Sequence, residues 1–344
     1  MIDFTAIIQN TNAYRLIQSD KQKGNLSHAY LILTSDKDML EDYVKLLVSL
    51  MCCETDGVCS NCRTCRLIAD KAHPDVIFYP QQKAKKDKDK EKDKGAKAKL
   101  DTVCTEDIVS LIEESYIKPI ECDKKVFVIL NAQDMTVQAQ NKLLKTLEEP
   151  PRNVHIVLGA TSEFSLLSTV KSRVKKIEIQ PFDNQTIFKA LENECQDHQK
   201  LNLAISCGDG TIGKALSLYG DKSLQNLTEL VLDMLVNMNS SKDVLKYSTK
   251  ITDQKVDLSQ FLSVLQLLLR DLLVLEQKNQ SLILNKQAID WLEKTKNFNT
   301  GSLIHALETV VEATKRKKFN MNETMLLDWL LFQILEGKHK WQKL

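Results

Sequence analysis

The chain has 344 residues, and at roughly 100–200 residues per domain that length predicts two or three domains. Hydrophobic residues make up 43%, enough to bury real cores and too many for wholesale disorder. Ten Gly and six Pro are few for this length, which disfavours sandwiches, barrels and propellers with their many turns and favours a helix-rich fold. The net charge of +1 excludes a chain that grips nucleic acid over its whole surface, so any such role belongs to a local patch.

The first residues, Met1-Ile2-Asp3-Phe4, lack a basic stretch followed by an apolar core, so no signal peptide is expected. No uninterrupted apolar run reaches about 18 residues, so no membrane span is expected either. Residues 5–23 space Ile7, Ile8, Tyr14, Leu16 and Ile17 as one face of a helix. Ala29–Leu33 is a short apolar run that suits a buried parallel strand. Helical spacing returns over 38–51. The strand-like Val76–Tyr79 follows His73-Pro74-Asp75. A helix is predicted over 103–117, a buried strand over Lys125–Leu130, and a helix over Gln138–Glu149 that must stop at Pro150-Pro151. Val154–Leu158 and Lys176–Ile179 read as further strands. Strands alternating with helices to about residue 180 predict a parallel α/β sheet with crossover helices.

Strand signals stop after Pro181. Residues 183–220 read as short helices, with Gly208, Gly210 and Gly213 marking a tight connection. From 222 to 344 the pattern is helical and Leu-rich, without Pro, and predicts a bundle of about five helices whose apolar stripes are core and subunit contact. Residues 83–99 break the α/β pattern. Nine Lys against three Asp and one Glu give this stretch a net charge of +5. With nothing apolar larger than Ala, it is expected to be a disordered loop, either a solvated spacer or a weak, salt-sensitive tether to a DNA backbone.

Two constellations bear on chemistry. Five of the nine cysteines fall within Cys52–Cys65. In a chain without a secretory signal, such clustering points to metal or redox chemistry, not to a disulfide framework. Cys59, Cys62 and Cys65 follow at even spacing, with Cys52 and Cys53 upstream. Four thiolates in one short loop suit a tetrahedral Zn²⁺ site that would staple a loop with no core of its own. Either Cys52 or Cys53 fits as the first ligand, and the overlapping CxxC pairs also admit a thiol-redox reading. The second constellation is conspicuous by what it lacks. A phosphate-binding loop needs glycines, then Lys and Ser/Thr. After the first strand the chain has Thr34-Ser35-Asp36-Lys37-Asp38-Met39, with no glycine and two acids that repel a triphosphate. After Lys125–Leu130 it has Asn131-Ala132-Gln133 where an ATPase needs acids for Mg²⁺ and water.

Asn141–Pro151 (NKLLKTLEEPP), His28-Ala29, Cys59–Cys65 followed by His73-Pro74-Asp75, and Thr169–Val174 (TVKSRV) together resemble, in the same order, signature segments of bacterial clamp-loader subunits of DNA polymerase III. Among these, the degenerate phosphate loop resembles the delta prime branch, not the ATP-hydrolysing gamma/tau subunit. Val174 stands where the family usually has Cys. The resemblance implies an α/β plus all-α fold: an AAA+-like parallel-sheet domain over 1–181 with a zinc module at 52–66 and the Lys-rich insert at 83–99, a helical lid over 182–221, and a helical collar over 222–344. It implies a structural Zn²⁺ on Cys53, Cys59, Cys62 and Cys65, with Cys53 favoured over Cys52 because Cys53-Glu54 resembles the family's Cys-Glu step. It implies that this subunit binds no ATP and is no enzyme alone. Arg173, beside Ser172, would be an arginine finger for ATP on a neighbour. The implied partners are gamma/tau and delta subunits, the sliding clamp and, through the assembly, primed DNA, in the cytoplasm at the replisome and without a membrane. The rival expectations are an active AAA+ ATPase, a zinc-dependent thiol oxidoreductase, and a zinc-containing DNA-binding or adaptor protein with a degenerate AAA+ domain.

Overall fold

The structure, a computed structural model, describes residues 4–80, 102–221, 223–279, 282–285, 289, 293, 295, 298–317 and 321–341. The Lys-rich stretch 83–99 lies outside the described residues. The chain forms two compact units, 1–182 and 183–344.

The first unit is built on five parallel strands: β1 (Ala29–Thr34), β2 (Val76–Tyr79), β3 (Lys125–Ile129), β4 (Val154–Ala160) and β5 (Lys175–Ile179), in the order β2-β3-β4-β1-β5. β1 and β3 are buried along their whole length, as continuous apolar runs in a sheet covered on both faces must be. Leu31 sits opposite Leu158 of β4 and Lys176 of β5, so the inner strand has apolar company on one side and the more exposed edge on the other.

The helices of this unit are α1 (Thr5–Gln9), α2 (Asn12–Gln22), α3 (Leu40–Cys52), α4 (Arg63–Ala69), α5 (Thr105–Ser115), α6 (Val137–Glu148) and α7 (Ser168–Lys171). The single helix expected over 5–23 is two. Thr11 leaves the helical region, with ψ 153°, and its Oγ1 accepts the Tyr14 N–H at 3.2 Å. A threonine that caps the helix after it ends the helix before it. The helix expected over 103–117 is trimmed to α5 by a similar device, the Cys104 N–H donating to Asp107 Oδ2 at 2.9 Å. α3 lies on β4 where Gly159 leaves room. A Cβ there would stand 2.9 Å from Val44 Cγ2.

Among its described residues, the second unit is helical throughout, without strands. It comprises α8 (Asn184–Leu191), α9 (His198–Ser206), α10 (Ile212–Gly220), α11 (Ser223–Asn237), α12 (Ser241–Asp253), α13 (Leu258–Glu276) and two further helices, Thr300–Lys317 and Glu323–Trp341. One apolar core joins Leu203, Leu230, Phe261, Leu268, Val310 and Leu330. Among the described residues, α13 is the one helix long and apolar enough to cross a membrane by length and composition. Its Phe261, Leu265 and Leu268 are instead fully buried in that core. Its Asp271, also fully buried, accepts the N–H groups of Leu284 and Asn285 at 3.1 and 2.8 Å. These contacts place α13 within the core of the helical unit.

Candidate metal centre and arginine site

α3 ends at Cys52, and the chain turns through a loop before α4 starts behind Cys62. The loop carries almost no apolar side chain. It is moored to α2 instead: Lys21 donates to the carbonyls of Cys53 and Thr55, and Val58 N–H donates to Tyr14 Oη at 3.1 Å. Within it the Sγ atoms of Cys53, Cys59, Cys62 and Cys65 all lie within 4.8 Å of one another. Cys53 is 3.6 Å from Cys59 and 3.9 Å from Cys62, and Cys59 is 3.9 Å from Cys65. A tetrahedron with Zn–S bonds of ~2.3 Å has S···S edges of ~3.8 Å, so the donor set fits that ion. Ser60 takes a positive φ of 57°, which turns the loop between Cys59 and Cys62. The Cys62 N–H then donates to Cys59 Sγ, and the Cys65 N–H to Cys62 Sγ, both at 3.3 Å. Burial pushes the Cys53 thiol up, but hydrogen bonds from Thr55 and Cys59 outweigh it and bring it down to about 6. The N–H of Cys62 likewise holds Cys59 below its ordinary value. Burial pushes Cys62 and Cys65 up instead, so only Cys53 and Cys59 are drawn toward the thiolate form that a metal needs. Cys52 is not part of this group. Its side chain is buried at the end of α3 instead.

In open α/β sheets ligands lie beyond the carboxyl ends of the strands. Here that position holds Asp36 after β1, 4% exposed, accepting the Tyr43 hydroxyl on Oδ2 at 3.1 Å. The first turn of α3 adds Glu41 and Asp42. A helix N-terminus attracts anions, and this one already carries its own carboxylates. Beyond β3, Asn131 takes φ 52° and Gln133 stitches two loops together. Gln133 Oε1 accepts the Thr161 N–H at 3.1 Å, and its carbonyl accepts the Ser165 hydroxyl at 2.6 Å. A neutral amide thus stands where Mg²⁺ chemistry calls for acids.

Arg173 follows α7 on the turn into β5. Its Nη2 lies 2.8 Å from Glu148 Oε1 at the end of α6, and its Nη1 donates to Thr169 O at 2.9 Å and Ser172 Oγ at 3.2 Å. Ser172 in turn donates to Thr169 O at 3.1 Å. The Arg173 and Glu148 side chains are 35% and 50% exposed, and pairs of that exposure contribute only about 0–1 kcal/mol, so the guanidinium is free to exchange partners. The loop ahead of it is better fixed. Gln140, 1% exposed on α6, donates to Ser165 O at 3.0 Å and accepts the Leu167 N–H at 2.8 Å. Neither Gln140, Gln133 nor Glu148 stood out as a site residue in the sequence. Glu148 and Gln140 share α6 with the NKLLKTLEEPP segment, which was the available signal.

A sequence model described as DNA polymerase III, delta subunit, matches residues 9–183. The chain belongs to this family. The matched stretch contains the four-cysteine cluster, the ends of β1 and β3, and Arg173, and it stops where the first unit stops. Among known relatives, DNA polymerase III subunit delta' of Bacillus subtilis is 26% identical over 335 residues, covering 94% of this chain and 95% of that protein. Subunit delta' of Yersinia pestis is 31% identical over 164 residues, 46% of this chain and 44% of its own length. DNA polymerase III subunit gamma of Buchnera aphidicola is 24% identical over 245 residues, 66% and 63%. Likeness to a delta' subunit along nearly the full length agrees with the delta prime branch read from the sequence, and the α/β plus all-α division is the one that reading implies.

Proposed function

We propose that this delta-prime-type chain is a non-hydrolysing subunit of a DNA polymerase III clamp loader, helping to place the sliding clamp on primed DNA in the bacterial cytoplasm, at the replisome on the nucleoid. The observation that carries the reading is the pairing of a blocked crevice with a half-exposed arginine. Asp36 and the acids of α3 oppose a bound triphosphate in this chain's own AAA+-like unit, while Arg173 stands on a surface turn, held by a loose ion pair to Glu148 and hydrogen bonds to Thr169 O and Ser172 Oγ. Phosphoryl transfer places negative charge on the γ-phosphate oxygens, and a guanidinium presents a permanently charged planar fork to them. Arg173 therefore serves ATP bound on an adjacent gamma/tau subunit, with Ser172 shaping the turn that carries it. Cys53, Cys59, Cys62 and Cys65 hold one Zn²⁺. Four protein thiolates leave no open position, so the ion cross-links the loop and does no chemistry on substrate. Residues 182–221 act as the lid and 222–344 as the collar that assembles with gamma/tau and delta.

Mixing the purified chain with gamma/tau and delta subunits should give one complex on size exclusion. The chain alone should retain no ATP in an equilibrium filter assay. Retention of ATP by the isolated chain, or failure to join the complex, overturns the reading.

A further inference from the structure

Phe164, between β4 and α7, is the most exposed large apolar side chain among the described residues, at 96%. Single apolar side chains on a surface are ordinary. On a slack loop such a ring would fold back onto the nearest apolar surface. This loop is not slack. The Thr161 N–H donates to Gln133 Oε1 at 3.1 Å, and the Phe164 N–H to Ser162 Oγ at 3.3 Å. The Ser165 hydroxyl donates to Gln133 O at 2.6 Å, and its carbonyl accepts Gln140 Nε2 at 3.0 Å. The Leu166 N–H donates to Glu163 O at 3.2 Å, which closes a β-turn with Phe164 at its tip, and the buried Leu166 side chain roots that turn in the core. Bonds on both sides of Phe164 therefore hold its ring out in water.

The same flank carries Arg173. α6 serves both turns: Gln140 binds Ser165 and Leu167 beside Phe164, and Glu148 pairs with Arg173. Gln140 and Glu148 are about 12 Å apart along the helix, well inside a footprint of about 800 Å² per partner. Glu163 Oε1 also lies 2.9 Å from Lys176 Nζ, which ties the residue before Phe164 to one just past Arg173. Val137 opens α6 and is 58% exposed, on the segment that Gln133 stitches to the Phe164 turn. Aromatic residues and Arg are the types enriched at the cores of protein interfaces. A ring already held out loses little freedom when a partner covers it.

We infer that Phe164 is the apolar anchor of the contact with the ATP-binding neighbour. Its ring enters an apolar recess on the adjacent gamma/tau subunit, while Arg173 on the same flank reaches that subunit's ATP. The inference rests on the clamp-loader reading and deepens it. The two residues have separable roles. Burying the ring contributes affinity whether or not ATP reacts, so Phe164 sets how tightly the chain joins. The guanidinium acts on charge that builds in the transition state, so Arg173 sets how fast the joined site turns over. The other occupant an exposed aromatic ring suits is a nucleobase. Asp36, Glu41 and Asp42 oppose it, because they stand beyond β1, the strand next to β4, and repel the phosphates a nucleotide would bring.

The test titrates the full-length chain into premixed gamma/tau and delta subunits and reads both assembly and ATP hydrolysis. Phe164→Ala removes an exposed ring, so it should melt like the wild type but assemble roughly 10–100-fold more weakly. Its hydrolysis should be low at a chain concentration that saturates the wild type, and should recover as more chain is added. Arg173→Ala should stay slow at every concentration. Phe164→Trp should assemble like the wild type, and its added fluorescence should shift to the blue with gamma/tau but not with ATP alone. Unaltered affinity in Phe164→Ala, with the wild type joining the complex, overturns this inference and leaves the clamp-loader reading standing. A blue shift of Phe164→Trp with ATP alone overturns it as well, by making the ring a nucleotide platform. A wild-type chain that joins no complex overturns the clamp-loader reading and this inference with it.

Discussion

Replacing Asp75 by Asn tests how the segment ahead of β3 is held. Asp75 is 1% exposed and takes three backbone N–H bonds at 2.7–2.8 Å. Hydrogen bonds to a charged group contribute roughly 1.5–3 kcal/mol each. Asn keeps one acceptor oxygen and turns an NH₂ group toward at least one backbone donor, so at least one such bond is lost and the others weaken to neutral strength. A destabilisation of about 3 kcal/mol follows, equivalent to roughly 6–12 °C in Tm for a unit of this size. Burial raises the Asp75 carboxyl, but the N–H groups of Cys122, Ile120 and Glu121 outweigh it and hold it below its ordinary value of 3.8. A depressed folded value means that the stabilisation is complete above the unfolded value and is lost as pH falls through the folded one. The wild-type advantage over Asp75→Asn should therefore be constant above about pH 5 and shrink below about pH 4. Hydrogen exchange of the amides of residues 120–122, with a thermal melt across pH, reads both. Unchanged exchange at those amides with a melt within about 1 °C of wild type would refute the reasoning.

Two further outcomes are expected. Cys53→Ser should reduce bound zinc from about one per chain to near none, whereas Cys52→Ser should keep it. The reverse pattern by metal analysis would move the first ligand to Cys52. Gly159→Ala should drive a methyl group into Val44 on α3 and lower stability by about 1–3 kcal/mol. An unchanged urea midpoint would show that α3 slides on β4 freely.

Local chemistry was legible in the sequence, and long-range placement was not. β1 and β3 announce themselves because strands buried on both faces are uninterrupted apolar runs. Pro150-Pro151 ends α6 as the missing N–H demands. The spacing of Cys59, Cys62 and Cys65 predicted a cluster that the structure brings together. Choosing between Cys52 and Cys53 was different. It depends on which way two adjacent side chains point where α3 ends, and the fold turns Cys53, not Cys52, toward Cys59, Cys62 and Cys65. The break at Thr11 was missed because Thr suits both a helix interior and a cap, and only its Oγ1 bond to the Tyr14 N–H distinguishes them. Asp75 was visible as part of a motif, but its three donors come from residues 120–122. Arg173 was likewise visible, whereas its resting partner Glu148 required the turn after α7 to be placed beside the end of α6.

The measurement that bears most directly on the central claim is DNA- and clamp-stimulated ATP hydrolysis by a reconstituted loader carrying Arg173→Ala, alongside Arg173→Lys. Fingers supplied in trans contribute about 10³–10⁵ in kcat in GTPases. A loader with several ATP sites should lose a smaller part of its overall rate. Arg173→Ala is expected to fold, assemble with gamma/tau and delta, and hydrolyse ATP and load clamps more slowly, with Lys rescuing poorly because a point charge lacks the fork. Normal assembly together with wild-type hydrolysis and loading in Arg173→Ala would contradict the account.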